Sequence, residues 1–164
     1  MSTDAIDPAG FTFTRQAWVD ATPQDVYRLV SDVSAISRWS PNATDAAYDD
    51  GAGPEEGAWF SGRNRRGDKE WTSRSQVVKA DPGTAFAFVV DGIVEWGWTL
   101  RAQGRGTVAE QSWRLLRMDP VLGATAADVT ALRDYMAASV ETTLAALAEW
   151  VAQQDRANVS VRAL

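Results

Sequence analysis

Apolar and polar positions alternate in the middle of this chain and recur every three to four residues on either side of it. From Phe11 to Ala21 the period is two. Phe11, Phe13, Arg15, Ala17 and Val19 fall on one side, with Thr12, Thr14, Gln16 and Trp18 on the other, which predicts a strand with imperfect alternation. Thr22-Pro23-Gln24-Asp25 then supplies an N-cap, a proline at the first helical position and an acid near the positive helix end. Val26, Tyr27, Leu29 and Val30 follow at helical spacing. A second short helix is predicted over Val33 to Trp39, stopped at Ser40-Pro41 because proline disfavours helix in the residue before it.

From Thr44 the period returns to two. Strands are predicted over 44–49, 57–65, 70–80, 84–91, 93–102 and 106–117. The intervals carry turn chemistry, notably Asp49-Asp50-Gly51, Arg66-Gly67-Asp68, Asp81-Pro82-Gly83, Asp91-Gly92 and Gly104-Arg105-Gly106, as antiparallel hairpins require. Val94, Trp96, Trp98 and Leu100 share a face, as do Phe86, Phe88 and Val90, so one side of the sheet is buried. From about Thr125 to Ala157 a helical stripe appears: Val129, Leu132, Met136, Val140, Thr143, Leu144, Leu147 and Val151. About 30 residues at ~1.5 Å each span ~45 Å, enough to cross a sheet.

The order is strand, two short helices, six strands, long helix. This predicts an α+β fold: a curved seven-stranded antiparallel sheet wrapped around a long C-terminal helix, in one domain over 11–157, with flexible termini at 1–10 and 158–164. One helix cannot fill the concave face of such a sheet. The space left beside it is an apolar cavity of the kind small molecules occupy.

Composition narrows the chemistry. The 164 residues carry a net charge of −6, which argues against nucleic acid or anionic lipid surfaces as partners. The absence of Cys removes disulfides, thiolate metal sites and thiol nucleophiles, and the absence of His removes the commonest base near neutral pH and a Ser-His-Asp triad. No apolar run is long enough to insert stably in a membrane, and residues 1–10 lack a signal pattern, so a cytoplasmic location is expected. Eight Trp in so short a chain is unusual; rigid flat side chains in this number suit a cavity wall.

Three segments together resemble the START-like, or Bet v 1-like, helix-grip superfamily, and within it the polyketide cyclase/dehydrase and lipid-transport family. They are Ala21-Thr22-Pro23-Gln24-Asp25-Val26-Tyr27-Arg28-Leu29-Val30-Ser31-Asp32 with Ile36-Ser37-Arg38-Trp39-Ser40-Pro41, then Gly57-Ala58-Trp59-Phe60-Ser61-Gly62-Arg63-Asn64 with Trp71, and Gly106-Thr107-Val108-Ala109-Glu110-Gln111-Ser112-Trp113. The resemblance covers roughly Phe11 to Val151 and implies the helix-grip fold. It leaves function open, because the superfamily includes carriers, receptors, cyclases and co-chaperones.

The expected ligand-binding residues are Trp39, Phe60, Asn64, Trp71, Phe88, Trp96, Trp98, Trp113, Leu132, Tyr135, Met136 and Ser139. Trp150 is grouped with these Trp residues; Trp18 and Trp59 fall on the outer side by alternation. Candidate catalytic residues are Asn64, Glu110 and Tyr135. Asn64 either orients a ligand carbonyl or hydroxyl or simply ends its strand. Glu110 either sits in an apolar pocket with a raised pKa or faces solvent, and the strand's inward face is undecided because Glu110 and Trp113 differ in parity. Glu95 is expected to face out. Tyr27 and Tyr135 either donate a proton or fill the helix–sheet interface. Arg63, Arg65, Arg66 and Arg74 either form a solvated hairpin tip or meet an acidic partner such as a carrier-protein phosphopantetheine.

The residues favour a carrier or sensor for a small hydrophobic molecule, such as a lipid, polyketide or aromatic. No cofactor or metal is expected, and the protein is expected to be a monomer or homodimer. A polyketide cyclase/aromatase-type enzyme acting on a poly-β-keto intermediate is the alternative, since such catalysis can rest on positioning alone. A protein-binding module is a third reading.

Overall fold

The computed structural model describes residues 6–162. The chain forms strands β1 (Thr12–Val19), β2 (Ala43–Tyr48), β3 (Trp59–Arg66), β4 (Lys69–Asp81), β5 (Ala85–Val90), β6 (Val94–Gln103) and β7 (Gly106–Leu115), with helices α1 (Pro23–Ser31) and α2 (Ala126–Arg162). They make one antiparallel sheet in the order β1-β7-β6-β5-β4-β3-β2. This is the seven-stranded sheet with a long C-terminal helix that the periodicities predict, and the helix-grip architecture that the resemblance implies.

Local chemistry sets the elements. Thr22 caps α1, its hydroxyl accepting from the Asp25 N–H at 3.2 Å, with Pro23 at the first position. Val33–Arg38 forms a 3-10 helix that ends at Trp39. The β5–β6 hairpin turns on Asp91 and Gly92, both at positive φ (52° and 71°), as a two-residue primed turn demands. Two details differ from the sequence expectation. Pro8–Gly10 is a 3-10 turn capped by Asp7 instead of flexible leader, and α2 continues to Arg162 instead of stopping at 157. Residues 1–5 and 163–164 of the expected flexible termini lie outside the described residues.

The register stacks inward-facing side chains in rows across the sheet. Val77, Phe88, Trp96, Trp113 and Phe13 form one row, and Phe86, Trp98, Gln111 and Arg15 the next. Phe13 and Trp113 stack at 5.7 Å with planes 13° apart. Helix α2 packs chiefly against β1 at one side of the concave face. Its stripe is buried at Val129, Val140, Leu144, Leu147 and Val151, but Leu132 and Met136 between them stay only half-buried. Those two side chains face a void instead of the sheet, and this void is the cavity described next.

Candidate ligand-binding site

With α2 packed chiefly against β1 and α1 over β5 to β7, the rest of the concave face is left open, and a cavity of about 670 Å³ occupies it. One wall is aromatic: Phe60 (β3), Trp71 (β4), Phe88 (β5), Trp96 and Trp98 (β6) and Trp113 (β7). Phe60 and Phe88 meet edge to face at 5.0 Å, which fixes that corner. The opposite wall is α2, through Leu132, Met136, Ser139, Val140 and Thr143. Val30 at the end of α1, Val33 and Ile36 of the 3-10 helix, and Trp39 close one end.

Trp39, Phe60, Asn64, Trp71, Phe88, Trp96, Trp98, Trp113, Leu132, Met136 and Ser139 of the expected set thus line the cavity. Tyr135 does not. Its ring lies under the Arg66 guanidinium, 4.2 Å from carbon to ring centre, and its hydroxyl accepts from Asn42 Nδ2 at 2.8 Å. It faces the β3–β4 hairpin instead of the cavity. Trp150 is likewise outside the lining, packed edge to face on Trp39 at 5.9 Å. Trp18 and Trp59 are exposed on the outer face, as alternation predicts.

Glu110 also lies outside the cavity. Its cross-strand neighbours are Gln16 and Thr99, both exposed, so it occupies the outer face. The inward parity of β7 is Thr107, Ala109, Gln111, Trp113 and Leu115, with no bulge in either pairing. The polar side chain facing the cavity from this strand is therefore Gln111. It shares parity with Trp113, the one signal in the sequence that picks it out. Glu95 pairs on the outer face with Arg114 at 2.9 Å.

The cavity has a polar seam. Asn64 Nδ2 donates to Ser73 Oγ at 3.0 Å, and Ser139 Oγ donates to Asn42 Oδ1 at 2.7 Å. Asn42 also donates to the Arg65 carbonyl at 3.1 Å, so this one residue joins the start of β2, the β3–β4 hairpin and α2. Gly62 stands between Phe60 and Asn64; a Cβ there would come 3.2 Å from Ser73 Oγ, so its absence opens the wall.

The charged lining residues, Asp45, Arg63, Arg66, Lys69, Asp91 and Asp128, are all exposed and mark the open side. Asp128 is engaged in capping α2. Its carboxyl is held below the usual carboxylate range by the Thr125 side chain and the N–H groups of Ala124 and Thr125. The arginines divide. Arg74 forks onto Asp49 and covers the Trp59 ring on the outer face, and Arg65 lies 3.8 Å from Glu70, whereas Arg63 and Arg66 reach the cavity rim. Tyr27 fills the interface between α1 and the sheet, edge-on to Phe86 at 6.2 Å. Among the described residues no group of carboxylates has the spacing of a metal site, and no helix is long and apolar enough to cross a membrane.

A curved antiparallel sheet gripping one long helix over an apolar cavity defines the helix-grip class. Residues 10–152 match the polyketide cyclase / dehydrase and lipid transport family, and the chain belongs to it. Among solved structures it is similar to a polyketide-cyclase-like protein of Corynebacterium glutamicum, at 28% identity over 88% of this chain and 93% of that one, with a TM-score of 0.63. The di-domain aromatase/cyclase StfQ of the steffimycin biosynthetic pathway shares the fold at 16% identity and a TM-score of 0.71, over 88% of this chain and 51% of StfQ. Ara h 8.0201 shares it at 12% identity and a TM-score of 0.61, over 87% of this chain and 97% of that one. None of the curated proteins matches the chain.

Proposed function

We propose that the protein binds one small hydrophobic molecule in this cavity, as a carrier or sensor. The observation that carries the reading is the distribution of polar groups. The inner surface combines aromatic rings with amides and hydroxyls (Asn42, Asn64, Ser73, Ser75, Gln111, Ser139, Thr143), while every carboxylate of the lining sits on the exposed rim. Amides and hydroxyls orient a ligand but are poor acids and bases near neutral pH. A volume of about 670 Å³ falls in the range typical of small-molecule sites, roughly 300–1,000 Å³. Membership of a family whose description includes lipid transport supports the same reading.

Native mass spectrometry of mildly purified protein tests it. A copurified hydrophobic species, or saturable quenching of Trp fluorescence by a fatty acid, sterol or polyphenol, is expected. No bound species and no response to any of these overturns it.

A second reading, cyclisation or dehydration of a poly-β-keto chain, draws on the family description and on the fold shared with StfQ. It requires catalysis by confinement, because Glu110 and Tyr135 lie off the cavity and Asn64 is the candidate left on its wall. Turnover that survives Asn64→Ala unchanged removes Asn64 from that scheme.

A further inference from the structure

The β3–β4 hairpin carries its inward side chains in cross-strand rungs, and their chemistry changes along it. Phe60 stands opposite Ser75, Asn64 opposite Trp71, and Arg66 opposite Lys69, and all six line the cavity. The first rung is buried, the second half-buried and the third exposed, so this wall runs from a closed floor to two cations at the mouth. Like charges directly opposite each other in a sheet repel. The nearby carboxylates do not offset them. Glu70 lies 3.8 Å from Arg65 on the outer face, Asp91 accepts from the Arg74 N–H at 3.0 Å, Asp128 caps α2, and Asp45 stands opposite Arg63. Among the described residues neither Arg66 nor Lys69 makes an ion pair, with Asp68 of the turn between them included. The Arg66 guanidinium lies over the Tyr135 ring, and its N–H edge has no acceptor among the described residues. The ring thus holds the guanidinium by its face and leaves the planar donor fork open.

We infer that the hairpin tip is an anion subsite of the cavity: the molecule bound there is an amphiphile whose carboxylate or phosphate group sits between Arg66 and Lys69 while its apolar body lies along the aromatic wall. This rests on the binding reading above and adds to it a ligand class, anionic amphiphiles in preference to neutral molecules with the same body. From Arg66 back to Phe60 the strand runs about 20 Å, at ~3.3 Å per residue, which suits an elongated body. The anionic group gains charge-assisted hydrogen bonds from the guanidinium fork and the ammonium, and it relieves the repulsion between them. At the open mouth it keeps part of its hydration, so the apolar body is the part taken out of water.

The test measures binding of decanoate, decyl phosphate and decanol to the full-length protein by isothermal titration calorimetry, below their micelle concentrations. These share one body and differ in the headgroup. For the wild type at low salt, at least one of the two anions is expected to bind roughly tenfold more tightly than decanol, with the preference shrinking as ionic strength rises. The tighter of the two identifies the headgroup. In the double variant Arg66→Gln with Lys69→Gln the preference is expected to fall to within about twofold. Lys69→Gln alone, which keeps the Arg66–Tyr135 contact, is expected to lower it about threefold, and decides the matter if the double variant does not fold. Arg101→Gln makes the same single change in net charge on the outer face and is expected to keep the wild-type preference. Equal affinities for decanol and both anions in the wild type, a preference that survives in the variants at the tip, or an equal loss in Arg101→Gln overturns the subsite while leaving the binding reading intact. If none of the three compounds binds the wild type, the cavity reading falls, and this inference with it.

Discussion

The hydroxyl of Ser139, in the N-terminal half of α2, donates to the side-chain carbonyl of Asn42 at 2.7 Å. The amide nitrogen of that same Asn42 reaches Tyr135 one turn earlier on α2 and the Arg65 carbonyl on β3. Asn42→Ala removes all three bonds at once and leaves the Arg65 carbonyl and Ser139 hydroxyl to find water. At roughly 1 kcal/mol each the loss is about 1–3 kcal/mol. For a domain of this size that lowers Tm by about 2–4 °C per kcal/mol, readable by circular dichroism. An unchanged Tm shows that the three-way tie contributes nothing.

Two Trp residues on the same cavity wall are expected to respond differently. Trp113 is 1% exposed and stacked on Phe13, so Trp113→Ala costs about 3–5 kcal/mol of stability. Trp71 is half-buried near the β3–β4 hairpin and meets solvent or ligand on its free face. Trp71→Ala therefore weakens binding of an aromatic probe by about tenfold with a stability change of roughly 1 kcal/mol or less. Parallel urea unfolding and probe titration separate the two; a Trp71→Ala chain that binds normally removes Trp71 from the site.

Stability is expected to fall at both ends of the pH scale, for opposite reasons. Asp49, Asp119 and Asp128 are held below the usual carboxylate value of 3.8, by the Arg74 hydrogen bond, the Val121 N–H and the Thr125 side chain first in each case. The unfolded chain takes up those protons first, so their contribution is present above pH 3.8 and lost as pH drops below it. Burial raises the Tyr48 and Tyr27 phenols above 10.0, so the folded state keeps protons that the unfolded state releases, and stability declines above pH 10.0. Denaturant midpoints measured across pH are expected to show a shallower acid limb for Asp128→Asn and a shallower alkaline limb for Tyr48→Phe. Unaltered limbs contradict these assignments.

Gly106 opens β7 beneath the end of β1. A Cβ there would stand 2.4 Å from the Val19 carbonyl oxygen and 2.5 Å from the Trp18 ring, and the backbone oxygen cannot move aside without the strand. Gly106→Ala is expected to cost about 1–3 kcal/mol. A Tm within a degree of wild type shows that β1 adjusts freely.

How much of this was legible beforehand follows from the kind of signal each residue carries. The strands came through because Asp91-Gly92 and the other turn pairs punctuate them at hairpin spacing, and α1 because Thr22, Pro23 and Asp25 are local signals. The facing of β7 did not come through. Val108, on the outer parity, is buried too, since Trp18 lies directly opposite it and covers that face, so alternation is blurred where Glu110 and Gln111 had to be told apart. Tyr135 lies on α2 among Leu132, Met136 and Ser139, which do line the cavity. One residue of phase, together with Arg66 arriving from the hairpin, turned it out. Contacts made between elements distant in sequence, such as Asn42 with Ser139, leave no local trace.

The pairing of β1 with β7 alone has a consequence in time. The Thr12 hydroxyl reaches the Trp113 carbonyl across 101 residues of chain. At about 5–20 residues per second, a ribosome takes on the order of 5–20 s to supply β7 after β1 has been made. Over that interval the nascent chain carries a strand with no partner, and Phe13 has no Trp113 to lie on. The last strand is thus the step that completes the sheet during synthesis, and truncation before it leaves the first strand as an open edge.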